Sequence, residues 1–115
     1  MKIALYQART GIDPAANARD LAGAVEAAAA AGAAMLFTPE MSGLLDRDRG
    51  RAEAHLRGES DDLVLGAVRE AAARHRLWVH LGSLALRGEA DGLLVNRGLV
   101  IDDLGTVRAL SLIHI

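Results

Sequence analysis

The chain has 115 residues, a formal net charge of −2 and a pI near 6.0, with 51% hydrophobic and 3% aromatic residues. That is enough for one small domain, but it offers no basic footprint for nucleic acid or an anionic membrane and few rings for base stacking. With no cysteine, disulfides and thiolate metal sites are excluded; with no membrane-length apolar run and no signal-peptide plan, a cytoplasmic location is expected.

In chain order, Lys2 to Ala8 reads as a first strand, with Ile3 and Leu5 facing one way and Ala4 and Tyr6 the other. Asp13-Pro14 then opens a helix, because the carboxylate can cap free N–H groups and proline suits the first helical position. Ala24, Leu21, Val25 and Ala28 form its apolar stripe, and Gly32 is the expected stop after Ala31. A second strand covers Ala34 to Phe37. The polar stretch from Gly43 to Gly58 is long for a plain connection and has room for a short helix. Ser60, with Asp61 and Asp62, is expected to start the next helix, which runs to Arg74 and buries Val64, Ala67, Val68 and Ala71. Leu77 to Leu86 is a strand, Arg87 to Gly92 its turn, and Leu93 to Ile101 the returning strand. Asp102 to Gly105 makes a tight turn into a strand beginning at Thr106. The plan β-α-β-α-β-β-β predicts an α/β fold with a mixed sheet and two helices on one face.

The stretch Met35 to Gly43 carries the strongest chemical signal. Pro39 cannot donate to a sheet ladder and biases Thr38 toward extended geometry, so the strand should stop there. A single carboxylate, Glu40, follows at the C-terminal end of a buried strand, where α/β proteins usually place their chemistry. As a bare pattern, this residue reads more readily as an exposed loop acid than as a catalyst.

Gln7, the Asp13-Pro14 helix start, Leu36-Phe37-Thr38-Pro39-Glu40-Met41-Ser42, Asn96-Arg97, Ile101-Asp102 and Gly105 occur in an order and spacing that resembles the carbon–nitrogen hydrolase (nitrilase) superfamily, nearest its Nit-type, omega-amidase-like branch. The resemblance assigns residues 1–109 to the N-terminal part of that domain, half of an α-β-β-α sandwich, and leaves 110–115 as a tail outside the pattern, read as a truncation artefact. It implies hydrolysis of carbon–nitrogen bonds in small amides by a Glu, Lys and Cys in that chain order. The Glu takes the thiol proton, the thiolate attacks, and the Lys with a backbone N–H stabilises the developing charge. Glu40 falls on the Glu position and is the one catalytic candidate. The Lys position holds Ile113 or Leu112, depending on the alignment, and the Cys position lies beyond Ile115. The chain as written is therefore expected to be inactive, and the complete protein to pair as a homodimer.

The remaining polar residues read as structure. His80 inside an apolar strand is expected to be a hydrogen-bonded structural histidine, and His75 to sit at a helix end. His55 and the Arg47, Arg49 and Arg51 run read as a solvated face, and Asn96 as fixing a strand backbone. No His, Asp and Glu spacing suits a metal, the glycines lack the context of a phosphate loop, and no cofactor is expected. Two other readings compete with the hydrolase. One is a catalytically inert binding or assembly module; the other is a flavodoxin-like domain that binds an anion at a helix N-terminus.

Overall fold

The computed structural model describes residues 1–46, 48, 51, 54–88 and 94–114. The turn expected before the fourth strand, most of the 47–53 segment with Arg47 and Arg49, and Ile115 lie outside the described residues. The described residues form five strands: β1 (Ile3–Leu5), β2 (Met35–Phe37), β3 (Trp78–Arg87), β4 (Leu94–Ile101) and β5 (Val107–His114). They form one sheet in the order β1-β2-β3-β4-β5. β1, β2 and β3 run parallel, and β4 and β5 continue antiparallel. Two helices, α1 (Pro14–Ala30) and α2 (Leu63–His75), supply the crossovers of the parallel half. Right-handed crossovers that step twice in the same direction place both helices on one face, and α1 packs against α2 there.

Local chemistry explains most of the boundaries. Ala15 donates its N–H to Asp13 Oδ1 at 3.0 Å, Pro14 opens α1, and Gly32 closes it at φ +82°. β1 is shorter than the Lys2–Ala8 expectation because β2 offers only Met35 to Phe37 as a partner before Pro39. The cap of α2 is Asp62, not Ser60: Leu65 donates to its Oδ2 at 2.8 Å. Asp61 N–H bonds Gly58 O at 3.1 Å, so residues 58–61 are spent on a turn and the helix starts later. α2 ends on Arg76 in the left-handed region at φ 54°, a stop that no glycine announces. The Asp102 turn forms as expected, with Leu104 and Thr106 each donating to Asp102 Oδ1 at 2.9 Å. The bond from Thr106, helped by that from Leu104 and by the charge of Arg108, holds the Asp102 carboxyl below its ordinary value.

The core lies between the helices and one sheet face. Leu21, Val25 and Ala28 of α1 and Val64, Leu65, Val68 and Ala72 of α2 meet Leu36, Val79, Leu81, Leu84, Leu99 and Ile101. No described helix covers the opposite face. Cross-strand register puts Ile3, Met35 and Trp78 in one row and Leu5, Phe37, His80, Val100 and Ala109 in the next. Ile3 is 49% exposed, Leu5 75% and Trp78 39%. His80 packs there at a tilt against Phe37, with ring centroids 5.6 Å apart, and makes no side-chain hydrogen bond of the kind expected of it to any described residue.

Candidate functional site

Glu40 is exposed on a turn immediately after β2 and Pro39. No described residue gives its carboxylate a hydrogen bond or an ion pair. The turn beneath it is held at every step. Thr38 N–H bonds His80 O at 2.9 Å, and Ser42 N–H bonds Ser83 O at 3.0 Å. Between them Met41 sits in the left-handed region at φ 54°, and its N–H bonds Ser83 Oγ at 2.9 Å. Ser42 Oγ donates to Pro39 O at 2.6 Å. A hydroxyl has one hydrogen, so across the 3.0 Å contact Thr38 Oγ1 donates to Ser42 Oγ. Gly82 N–H closes the chain at 3.3 Å from Thr38 Oγ1.

β3 makes room for this turn. Its pairing with β4 shifts register between Leu81 and Leu84, so Gly82 and Ser83 form a bulge where the turn crosses. A Cβ on Gly82 would stand 2.6 Å from Thr38 O and from the carbonyl carbon and oxygen of Pro39. Only glycine allows that approach. Thr38, Ser42 and Ser83 are all buried.

Asn17 steadies the same region from the helix side. It is buried on α1; its Nδ2 donates to Gly11 O at 2.9 Å and Gly43 O at 3.0 Å, and Gly11 N–H donates to its Oδ1 at 3.0 Å. One amide thus ties the segment after β1 to the segment after the Glu40 turn. Sequence reasoning missed Asn17, Ser83 and Gly82. The signals were present: Asn17 falls four residues before Leu21 on the apolar stripe of α1, and Gly82-Ser83 interrupts an apolar strand.

The other candidates are not gathered at Glu40. Lys2, the only lysine, lies at the start of β1 and donates to Ala31 O at 2.7 Å, at the opposite end of the parallel strands. Asn96 Oδ1 is buried without a partner, so that atom does not bond the strand backbone as expected. A cleft of about 270 Å³ opens between the helix starts, lined by Asp13, Leu44, His55, Arg57, Asp62 and Ala85. Glu40 is outside it, and two of its three aspartates, Asp13 and Asp62, are committed to capping, while the third, Asp61, lies in the turn before α2. Burial raises the Asp62 carboxyl above its ordinary value, and the N–H groups of Leu65 and Val64 oppose that rise.

Past the turn, Arg51 grips Asp46 through Nε to Oδ2 at 2.5 Å and Nη2 to Oδ1 at 2.7 Å. The Arg51 hydrogen bonds, with that from Asp48 N–H, lower the Asp46 pKa from 3.8 to about 2. A depressed folded-state pKa stabilises the loop fully above pH 3.8, and the contribution is lost as pH falls through about 2. The Asp48 amide resonance is expected to titrate with a midpoint near pH 2; a midpoint near 3.8 would show that the grip does not form.

A family model described as carbon–nitrogen hydrolase matches residues 2–112. No curated protein matches the chain. Among solved structures, the chain resembles the NitFhit protein of C. elegans, with a TM-score of 0.83 and 24% identity over 98% of this chain and 28% of that one. An amidase from Nesterenkonia sp. superposes with a TM-score of 0.78 and 27% identity over 96% of this chain and 41% of the amidase. A mutant of the amidase from Nesterenkonia sp. AN1, which carries acrylamide added at its active-site cysteine, is 26% identical, with a TM-score of 0.78 over 96% of this chain and 42% of that one. The chain spans less than half the length of each.

Proposed function

We propose that this chain, which belongs to the carbon–nitrogen hydrolase family, supplies the general base of an enzyme that hydrolyses carbon–nitrogen bonds in small amides. The carrying observation is Glu40 itself: an exposed carboxylate with no competing partner, on a turn whose backbone is tied down at Thr38, Met41 and Ser42. A base held this way needs no reorganisation before it accepts a proton.

In the proposed reaction Glu40 takes the proton of a cysteine thiol, which near its unperturbed pKa is a poor nucleophile at neutral pH. The thiolate attacks the amide carbon, Glu40 gives the proton it took to the departing nitrogen so that ammonia leaves, and a thioester and an ionised Glu40 remain. Glu40 then takes a proton from the water that hydrolyses that thioester. Residues 1–115 contain no cysteine, and Lys2 is engaged at the far end of the sheet, so the nucleophile and the cation that steadies the oxyanion come from other residues of a complete enzyme. An active-site cysteine in the Nesterenkonia amidase supports this reading. The complete enzyme is proposed to work as a homodimer on a small-molecule amide.

The test is Glu40→Gln in this chain completed with a cysteine-bearing family segment. The amide has the same size as the acid and cannot accept the proton, so kcat should fall by roughly 10²–10⁴ with an unchanged melting temperature. If the variant keeps more than a tenth of the parental kcat, Glu40 is not the base. An equal loss with a collapsed melting temperature would make the residue structural.

A further inference from the structure

The geometry points to Ser83 as a positioning residue for Glu40, an inference that rests on Glu40 being the base. Ser83 is 1% exposed and lies in the β3 bulge, not in the Glu40 turn. It is nevertheless the residue that meets the turn twice: its Oγ accepts from Met41 N–H at 2.9 Å, and its carbonyl accepts from Ser42 N–H at 3.0 Å. Met41 is the residue after Glu40 and carries a side chain in the left-handed region, which costs on the order of 1–3 kcal/mol unless its surroundings enforce it. The Ser83 hydroxyl is what enforces it. Without that acceptor the Met41 amide would be left unsatisfied, and the peptide could turn to find another partner. Turning the peptide at Met41 re-aims the residue before it. The backbone bond from Ser42 and the chain through Thr38, Ser42 and Pro39 would survive, so the turn would persist while the backbone that carries the Glu40 side chain lost its fixed direction.

Ser83 touches no substrate in this account; it acts through Met41. Two measurements test it. In the chain completed with a cysteine-bearing family segment, hydrogen exchange of the Met41 amide is expected to be at least tenfold faster in Ser83→Ala, while Val68 in the core exchanges as before. In the chain completed with a cysteine-bearing family segment, Ser83→Ala is expected to lower kcat at least tenfold with KM within twofold of the parent, because orientation of the base matters to the chemical step and not to substrate binding. Unchanged exchange at Met41, an unchanged kcat, or a rise in KM at constant kcat would each overturn the proposal. Glu40→Gln, measured beside it, separates the two readings. If Glu40→Gln is inactive and Ser83→Ala is not impaired, only the positioning role falls; if Glu40→Gln stays active, the base assignment falls first.

Discussion

The 115-residue chain is expected to release no ammonia from glutaramate, succinamate or simple amides above the uncatalysed background. Of the proposed site the chain holds one member. Glu40 can accept a proton, but the chain holds no thiol to give one, and Lys2 is bonded to Ala31 O at 2.7 Å away from the turn. Loss of the nucleophile alone can cost on the order of 10⁶ in kcat, because the residues of such a site act as a unit. His80 does not fill the gap, since its ring packs at a tilt against Phe37. Ammonia release by the purified chain, abolished in Glu40→Gln, is the result that would refute this; it would mean that a nucleophile other than cysteine serves Glu40.

The second large effect concerns the uncovered sheet face. Ile3, Leu5, Met35, Phe37, Trp78 and Val100 share a face that carries no helix among the described residues. Leaving even ~600 Å² of apolar surface in water forfeits about 15 kcal/mol at 25 cal/mol/Å², as much as the whole net stability of a typical domain. Apolar patches of that size seek a partner, and the edge strand β5, with Leu110 51% exposed, offers unpaired backbone beside it. The isolated chain is therefore expected to collect in inclusion bodies or as soluble oligomers that bind apolar dyes. Light scattering and dye fluorescence on the purified chain check this. A monodisperse monomer with sharp two-state melting and no dye binding would contradict it and would favour a self-contained binding module.

What could be read in the sequence were the features whose cause is local. Asp13-Pro14 starts a helix, Gly32 ends one and Pro39 stops a strand through their own covalent chemistry, so the chain announces them wherever it folds. The position of Glu40 after a strand followed from Pro39 alone. Features set by distant residues showed in the sequence only as interruptions of a pattern, without their cause. The bulge at Gly82-Ser83 exists because the 38–42 turn crosses β3 there, and the left-handed Met41 exists because Ser83, far along the chain, accepts its N–H. Ser60 looked like a cap because hydroxyls cap helices; the turn closed by Gly58 and Asp61 passed that role to Asp62. Asn17 was hidden for the opposite reason, as a polar side chain on a helix stripe whose partners lie in two loops.

In the sheet, each described strand pairs only with strands next to it in the chain. Strand order that follows chain order keeps the sequence separation of contacts low, and low separation speeds the search for the native pairing. The two halves differ in this respect. β3, β4 and β5 are antiparallel neighbours that close as hairpins, whereas β1, β2 and β3 are parallel and must each wait for the helix that carries the chain back. Antiparallel pairing therefore has the smaller loop-closure cost, and β3, which belongs to both halves, is the strand on which the slower parallel half can assemble. The bulge that fixes the Glu40 turn lies on that shared strand, so the site's backbone is completed only when the slow half docks on the fast one.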